Sequence, residues 1–398
     1  MKILLVNKYW YIRGGSERVV FATKEILEKN GHEVVVFGMK NDKNIVENDY
    51  FIDDIDYKKI SAWKKFILGF KIIYNKDAKK KFASLVEDFK PEVIHFHNIY
   101  HQLSFSLFDV VKNKKIPSVL TLHDYKMISP NYNLFHHGKL DESSCGRNYY
   151  KCLLKNCMEN FVESFLVTCE AYFRKWKKWN DVVSVYISPS IFLKNKFLSV
   201  GFQNLIEVIP NPLVDLKSEV DLSVGQYVLY MGRLSEEKGV TLFLDFAKKL
   251  PHINFKMVGE GPLGKFLEKS IKQENIKNIE LLGHQTGDVL DNIIKKSKFL
   301  VMPSQWFENY ALSVLEAHVL GKVVLASDLG GLSEMMPKEM LVNHGDINLW
   351  VEKITEWFNK NEKELIKIEK GLCDKVREEN NIDSYYQHLT EVYKKILL

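Results

Sequence analysis

The sequence predicts an α/β protein built from two doubly wound domains, each a parallel β-sheet wrapped by helices. Short apolar runs of strand length alternate with helical patterns along most of the chain, which is typical of parallel sheets. The alternation stops once, at a proline-containing segment near the middle. The length of 398 residues is too great for one ordinary hydrophobic core. The 46% hydrophobic and 27% charged content is that of a globular protein and excludes a disordered or fibrous chain.

The first domain is predicted to span residues 1–212. Its first strand is followed by a Gly14-Gly15 turn, after which a helix begins at Ser16 or Glu17 and is capped by Gly31. Strands are predicted at residues 2–6, 33–37, 93–97, 118–122, 182–187 and 205–209.

The second domain is predicted to span residues 213–380. Pro210 and Pro212 interrupt any regular element, so the segment from Ile209 to Gly225 is predicted to be a linker. The chain ends in an amphipathic pattern, and we expect residues 381–398 to form a helix that packs back on the first domain. Further strands are predicted at residues 227–231, 254–258, 279–282, 299–302 and 323–326.

Charge is distributed unevenly, although the net charge is only +5. Lysines alternate with aromatic residues in the segments 58–81 and 172–179, a pattern that suits an anionic membrane surface. A helix with a solvated lysine face is the alternative. No window approaches the ~20 apolar residues of a membrane span, and the first residues are too short for a signal-peptide core. We therefore expect a cytoplasmic protein, with peripheral contact to the inner face of the cell membrane as a hypothesis, and no nucleic-acid partner.

Cysteine usage gives a weaker signal. The chain has five cysteines, an odd number, which argues against a disulfide framework. Cys145, Cys152 and Cys157 follow His136 and His137, so a structural zinc site is one interpretation. The spacing contains no C-x-x-C pair, and reduced cysteines lining a loop are the alternative.

Two carboxylates eight residues apart, Glu308 and Glu316, are the most informative feature of the second domain. A strand precedes Glu308 and an apolar helix follows it, so Glu308 lies where the chain turns. Unpaired N–H groups and the helix dipole make such a helix start attractive to anions. Glu316 lies roughly two turns further on and reaches another part of an elongated ligand. A nucleotide diphosphate with a sugar at one side and a ribose at the other fits this geometry.

Cationic and glycine-rich loops follow other strands of the second domain. Arg233 offers a planar fork of donors and Lys238 a point charge, and two cations at a strand end suit a diphosphate. Gly259-Glu260-Gly261 forms a turn where a ligand can approach closely, although it is not a full G-x-G-x-x-G fingerprint.

Polar residues also follow strands of the first domain. His123 ends one strand, and the Gly14-Gly15 turn after the first strand supplies N–H groups for a phosphate or a sugar hydroxyl. Open parallel sheets bind ligands at the carboxyl ends of their strands, so we expect both domains to face a central cleft. Three residues beyond a further strand are candidates for the acceptor-facing wall: His97, Asn98 and His101.

The motifs follow one another along the chain in a fixed order: the early Gly-Gly turn, His123-Asp124, Ser188-Pro-Ser190, Asn211-Pro212, Gly232-Arg233-Leu with Lys238-Gly239, Gly259-Glu-Gly261, Glu308 to Glu316, and Gly330-Gly331 with Glu334. In this joint order the chain resembles the retaining GT-B glycosyltransferases of family 4 over nearly its whole length. The resemblance implies two Rossmann-like domains facing a central cleft.

The resemblance also implies roles for individual residues. Glu308 holds hydroxyls of the donor sugar and Glu316 binds the ribose, while His123 contacts the donor sugar near its 6-position. Arg233 and Lys238 neutralise the departing diphosphate, a task that needs no metal ion in this fold. The remaining donor-binding residues implied by the family are Tyr310, Ala311 and Leu312 through their backbone amides, together with Gly15, Gly259 and Glu260.

One stretch departs from the family pattern. The family usually carries glycine after the first glutamate, whereas this chain has Asn309-Tyr310-Ala311, which leaves loop geometry and sugar choice open. The chain shows no motif that pairs a side-chain nucleophile with a base, which agrees with retention through front-face departure of the diphosphate.

These observations together predict a glycosyltransferase that moves a hexose from a UDP- or GDP-sugar to an acceptor in bacterial surface polysaccharide biosynthesis. The expected acceptor is a saccharide or a polyprenyl-linked glycan. A sugar-nucleotide 2-epimerase has the same architecture and is the first alternative. A non-catalytic sugar-nucleotide-binding protein is the second.

Overall fold

The chain forms two compact units in the computed structural model, which describes residues 1–53, 69–213, 220 and 222–398. One unit comprises Met1–His137, Asp141–Val214 and Ile382–Leu398. The other comprises Gly138–Leu140 and Asp215–Asn381.

The first unit contains a six-stranded parallel sheet in the order β2-β1-β3-β4-β7-β8. The inner strands are buried along almost their whole length, as expected where helices cover both faces of a parallel sheet. The strands of this sheet are β1 Lys2–Val6, β2 Glu33–Phe37, β3 Val93–Phe96, β4 Ser118–Thr121, β7 Val185–Ser188 and β8 Ile206–Val208. Strands β5 Phe135–His136 and β6 Lys139–Leu140 form a separate two-stranded sheet. The helices are α1 Gly15–Lys29, α2 Lys76–Phe89, α3 Leu107–Lys114, α4 Tyr150–Leu154, α5 Phe161–Trp176 and α6 Ile191–Ser199.

The second unit repeats this architecture with the strand order β11-β10-β9-β12-β13-β14. In both sheets the order reverses beside the first strand of the unit, and ligands bind at such a switch point. The strands are β9 Tyr227–Met231, β10 Asn254–Val258, β11 Ile279–Leu281, β12 Phe299–Met302, β13 Val324–Ser327 and β14 Leu341–Val342. The helices are α7 Val240–Lys249, α8 Gly264–Gln273, α9 Gly287–Lys295, α10 Leu312–Val319, α11 Leu332–Met335, α12 Ile347–Phe358 and α13 Glu362–Glu379.

Polar residues fix where several helices begin. The Asn75 side chain accepts hydrogen bonds from the backbone N–H groups of Asp77 and Ala78 at the start of α2. Asn160 accepts from the Glu163 N–H at the start of α5, and Ser190 does the same for α6. Each cap satisfies a backbone donor that the helix itself leaves unpaired, and a cap of this kind contributes about 1 kcal/mol.

The predicted strands and helices are largely confirmed, with small shifts of boundary. The strand predicted at 182–187 begins at Val185, because Trp179–Val182 form a 3₁₀ turn that buries the indole of Trp179. Helix α1 begins at Gly15, one residue before the prediction. The lysine-rich segment predicted at 58–81 lies outside the described residues as far as residue 68.

The last helix of the chain, α14 Ile382–Leu397, packs in the core of the first unit. Its buried residues Tyr385, Leu389 and Val392 contact the same cluster as the strands of the first sheet. The Tyr393 hydroxyl lies 2.6 Å from Nδ1 of the buried His95. Two segments distant in sequence therefore complete one core.

The structure pairs Cys152 with Cys157 in a disulfide, five residues apart at the end of α4. The sequence analysis did not predict this disulfide, because an odd number of cysteines says nothing about a local pair. Cys145, the third member of the suggested zinc set, is a free buried cysteine. Within the described ranges, no three His, Cys, Asp or Glu side chains form a group suited to a metal ion.

Among the helices that the structure describes, none combines the length and apolar character needed to cross a membrane.

Leu389→Ala should lower the free energy of unfolding by about 2–5 kcal/mol, because it removes a fully buried side chain from the core shared by α14 and the sheet. Urea unfolding followed by circular dichroism measures this change. Leu397→Ala, on the same helix but 41% exposed, is the control and should change stability by about 0.5 kcal/mol or less. Equal effects of the two substitutions would contradict the packing of α14 described here.

Candidate active site

The loops that follow β9, β10, β12 and β13 pack against one another at the carboxyl end of the second sheet. Gly259 has a φ of +139°, and a Cβ there would overlap the carbonyl oxygen of Gly232. A Cβ on Gly239, with a φ of +70°, would overlap the carbonyl oxygen of Pro303. Glycine is required at these positions because only hydrogen lets two backbones approach so closely. Close backbone contacts between these loops thus fix their conformations.

The backbone of Glu308 is held by the loop after β13. Residues 308 and 330 form an isolated parallel bridge, and the Gly331 N–H donates to the Glu308 carbonyl oxygen at 2.6 Å. A Cβ on Gly331 would overlap the carbonyl oxygen of Asn309. The Gly330-Gly331 motif therefore acts by positioning Glu308.

Lys238 and Glu308 form an ion pair at the centre of these loops. The Lys238 Nζ lies 2.6 Å from Oε1 of Glu308, and the Ser304 hydroxyl donates to the same oxygen at 2.8 Å. Burial opposes ionisation of the Glu308 carboxyl, but the Lys238 charge outweighs it with help from Trp306 and Ser304. The pKa of Glu308 therefore lies below its ordinary value of 4.5.

The Lys238 side chain is only partly enclosed, with 24% of its surface exposed. Its Nζ lies 5.1 Å from the centre of the Trp306 ring, a cation–π distance. An ammonium group has three N–H donors, and one of them serves Glu308. Lys238 therefore combines a fixed position with remaining capacity to bind an anion.

Helix α10 begins directly after this loop, as the sequence predicts. Ala311 occupies the N-cap position in an extended conformation, and no side chain caps the helix start. The Tyr310 hydroxyl accepts a hydrogen bond from Asn380 at 2.7 Å, which fixes the residue before the cap. Leu312 is the first helical residue, and Glu316 follows one turn later, half buried.

The two other predicted donor-binding side chains of this unit are exposed. Arg233 is anchored through its backbone, since its carbonyl oxygen accepts from the Tyr230 hydroxyl at 2.8 Å, while the guanidinium is left toward solvent. Glu260 likewise engages through its backbone, accepting from the Leu234 N–H at 3.0 Å. Among the site residues predicted in this unit, Lys238 and Glu308 are the pair whose side chains bind each other directly.

In the first unit, His123 follows β4 and is bonded to His97. Nδ1 of His97 lies 3.0 Å from Nε2 of His123, and the two rings stack with centres 5.3 Å apart. The His95 ring also stacks with the His97 ring, with centres 4.3 Å apart. Burial lowers the pKa of His123 to about 4, and burial and the two neighbouring histidines hold the pKa of His97 well below its usual range. All three imidazoles are therefore neutral near pH 7.

This geometry changes the interpretation of His97. We predicted it as a candidate for the acceptor-facing wall, and its side chain is buried and bonded to His123. His97 directly follows β3, and its backbone N–H donates to the Val6 carbonyl oxygen of β1 at 2.9 Å. Its imidazole stacks with the rings of His95 and His123 and is therefore enclosed. Asn98 is half buried and its N–H donates to Oδ1 of Asn7, and His101 is half buried with a left-handed backbone. Gly15 starts α1 and is exposed.

Beyond His123, the loop is held by buried charges that sequence reasoning missed. Oδ1 of Asp124 accepts from the Lys126 N–H at 2.9 Å. The Lys126 Nζ pairs with Glu170 of α5 at 2.5 Å, and both side chains are buried. Arg174, one turn further along α5, donates to the carbonyl oxygens of Lys126 and Met127 at 2.7 and 3.0 Å. The sequence does offer one signal for these contacts, because Glu170 and Arg174 lie four residues apart on the face of α5 that is buried.

The strand order of the two sheets and the structural matches define the GT-B fold. A sucrose-phosphate synthase from Thermosynechococcus elongatus superposes with a TM-score of 0.72 at 17% identity, covering 99% of this chain and 98% of that one. Anabaena Alr3699/HepE in complex with UDP-glucose superposes with a TM-score of 0.67 at 17% identity, covering 99% and 100%.

The sequence assigns the family. The family model described as Glycosyltransferase Family 4 matches residues 13–216, and the model described as Glycosyl transferases group 1 matches residues 221–371. A relative from Klebsiella pneumoniae, an uncharacterized 42.6 kDa protein in the cps region, is 28% identical over 84% of this chain and 87% of its own length. The chain belongs to glycosyltransferase family 4.

Lys238→Met should reverse the pH dependence that Glu308 gives to stability. In the native protein the lowered pKa stabilises the fold above about pH 4.5, and this contribution is lost as the pH falls through the folded pKa. Without Lys238, burial raises the pKa of Glu308, so lowering the pH should relieve the penalty and raise stability.

Urea unfolding between about pH 7 and pH 4 measures the reversal, and the variant should lose about 1–3 kcal/mol at neutral pH. Lys256→Met, which breaks the exposed pair with Glu280, is the control and should cost about 1 kcal/mol or less. An unchanged pH profile for Lys238→Met would show that Lys238 does not set the ionisation of Glu308.

Gly331→Ala should destabilise the second unit by about 1–3 kcal/mol, because its methyl group overlaps the carbonyl oxygen of Asn309. Gly371→Ala is the matched control, since it lies within α13 with open space around it. That substitution should stabilise the helix by about 0.5–1 kcal/mol. Thermal unfolding compares the two, and a neutral Gly331→Ala would remove the role given to the Gly-Gly loop.

Proposed function

We propose that this protein is a retaining glycosyltransferase that transfers a hexose from a UDP- or GDP-sugar to a glycan or polyprenyl-linked acceptor in bacterial surface polysaccharide biosynthesis. The observation that carries the proposal is the buried, ionised Glu308 paired with Lys238 at the start of α10. A buried carboxylate is costly, and one kept ionised at a strand end is suited to bind hydroxyl groups. The solved structure of Alr3699/HepE with UDP-glucose supports a nucleotide-sugar donor.

The donor is assigned to the second unit as follows. The uncapped amides at Tyr310, Ala311 and Leu312 receive the distal phosphate, where the helix dipole favours negative charge. Both Lys238 and Ser304 bind Oε1 of Glu308, so Oε2 is the oxygen we assign to the donor sugar hydroxyls. Glu316, a turn along α10, is assigned to the ribose, and Gly259 and Glu260 to the neighbouring edge of the nucleotide.

Departure of the diphosphate develops negative charge that Arg233 and Lys238 stabilise. Lys238 is already positioned by its pair with Glu308, so little reorganisation accompanies the reaction. The exposed Arg233 guanidinium closes on the diphosphate when the donor binds. We assign no metal ion and no covalent intermediate to the reaction, and departure and attack on one face of the sugar retain the anomeric configuration.

His123 is assigned to the donor sugar as a neutral hydrogen-bonding group. Its low pKa keeps the ring uncharged at physiological pH, and the bond to His97 fixes the orientation of the ring. His97 is therefore a positioning residue in this proposal. Gly15, exposed at the start of α1, is assigned to a phosphate or to the acceptor.

Arg233→Ala should lower kcat by about 10²–10³-fold while changing donor affinity far less, because diphosphate charge grows in the transition state. Transfer assays with a panel of UDP- and GDP-sugars, together with calorimetric donor titrations, separate the two quantities. Lys265→Ala, an exposed cation in the same unit, is the control and should leave both unchanged.

The proposal as a whole is tested by the same assays. Nuclear magnetic resonance of the product should show the anomeric configuration of the donor. Product formed from UDP-N-acetylglucosamine without acceptor would indicate the epimerase instead. Donor binding without turnover across the panel would indicate a non-catalytic binder.

A further inference from the structure

Helix α5 carries a row of apolar side chains on its outward face. Phe161, Phe165, Tyr172 and Trp176 are exposed, with Trp176 at 74%. At 3.6 residues per turn these four positions and Val162 fall within an arc of roughly 100°. A helix buried in a protein core would turn such an arc inward, so the row is an outward-facing apolar surface.

Helix α4 extends this surface. The Tyr149 ring contacts the Tyr172 ring at 5.2 Å, and the Tyr150 N–H donates to the Tyr172 hydroxyl at 3.3 Å. Leu154, at the end of α4, is 76% exposed. Single exposed apolar residues are normal on proteins, but contiguous patches mark interaction sites. The α5 face is defined by six residues: Leu154, Phe161, Val162, Phe165, Tyr172 and Trp176.

The charge around the α5 face is positive. Residues 147–178 contain seven lysines and arginines and three glutamates, a net charge of +4, while the whole chain carries +5. The Lys177 Nζ lies 5.9 Å from the Trp176 ring centre, so cation and aromatic share one end of the face. Two copies of this face would bring like charges together, which disfavours self-association. An anionic partner is complementary to it.

The buried side of α5 holds the loop that carries His123. Glu170 pairs with Lys126 and Arg174 binds two carbonyl oxygens of the same loop. Glu170 and Arg174 therefore join the loop to α5, and the apolar row lies on the other side of the same helix. A surface that docks α5 is consequently fixed relative to His123.

We propose that the α5 face seats on an anionic lipid bilayer, with its aromatic side chains inserted among the lipids and its lysines at the phosphate level. Aromatic and apolar residues flanked by lysine are the composition that binds such an interface. The inference rests on the proposed function for its purpose, which is to bring a polyprenyl-linked acceptor to the His123 loop.

Flotation with vesicles of equal parts phosphatidylcholine and phosphatidylglycerol tests the docking. The native protein should float with these vesicles at low salt and less with pure phosphatidylcholine. The triple variant Phe161→Gln, Phe165→Gln, Trp176→Gln should reduce the partition coefficient by roughly tenfold or more, since three exposed aromatic rings no longer enter the bilayer. The matched control is Ile191→Gln with Phe266→Gln, two exposed apolar residues elsewhere, and it should partition like the native protein.

Transfer assays separate this inference from the proposed function. With a vesicle-bound acceptor, the triple variant should raise the apparent KM for acceptor, while donor affinity and transfer to a water-soluble acceptor stay unchanged. Vesicle binding equal in native and triple-variant protein would overturn the assignment of the surface. A native dimer that the triple variant makes monomeric in light scattering would also overturn it, in favour of self-association. Absence of transfer with intact vesicle binding would instead count against the proposed function alone.

Discussion

An ionised carboxylate in a buried position is the constraint on which the second unit's candidate site depends. Burial opposes the charge on Glu308, so the site exists only while Lys238 lies within hydrogen-bond distance. Lys238 is placed by the turn that ends at Gly239, which packs on the carbonyl of Pro303. Glu308 is placed by the Gly330-Gly331 loop. Backbone contacts that only glycine permits thus determine an electrostatic state.

The candidate site residues of the first unit, in contrast, are enclosed without carrying charge. His95 and His97 are buried and His123 is half buried, and the three neutral rings orient one another through stacking and one hydrogen bond. The charges in this region lie around them, in Asp124, Lys126 and the residues of α5 that bind the loop. In the proposed reaction, charge therefore changes on the diphosphate and not on these imidazoles.

Alternation of short apolar runs with helical patterns predicted all six strands of the first sheet and five of the six in the second. Strand β14 was not predicted, because two residues are too few to show a periodic pattern. The predicted strand ends also identified Glu308, Lys238 and the start of α10, since position after a strand implies position at the sheet edge. The pairing of Lys238 with Glu308 was not predictable, because seventy residues separate them and the distance depends on glycine contacts between loops.

Sequence analysis did not predict other features of the structure for comparable reasons. His97 follows a predicted strand, so sequence alone places it at the sheet edge. Only the three-dimensional structure shows that its side chain is buried and bonded to His123. The Cys152–Cys157 disulfide is local, and the total number of cysteines does not reveal whether such a pair forms. The two-sided character of α5 is partly visible in sequence, since its aromatic residues recur on one side. Which side faces outward is decided by Glu170 and Arg174, whose partners lie about 45 residues earlier.

The return of α14 to the first unit has a consequence for biosynthesis. The core around β1 and β3 includes Tyr385, Leu389 and Tyr393, so its last pieces are translated only after the entire second unit. At ribosomal speeds of roughly 5–20 residues per second, the nascent first sheet waits roughly ten to forty seconds for its final helix. During that interval the apolar surface that α14 covers is open to water, and a chaperone that binds apolar segments has its natural target there.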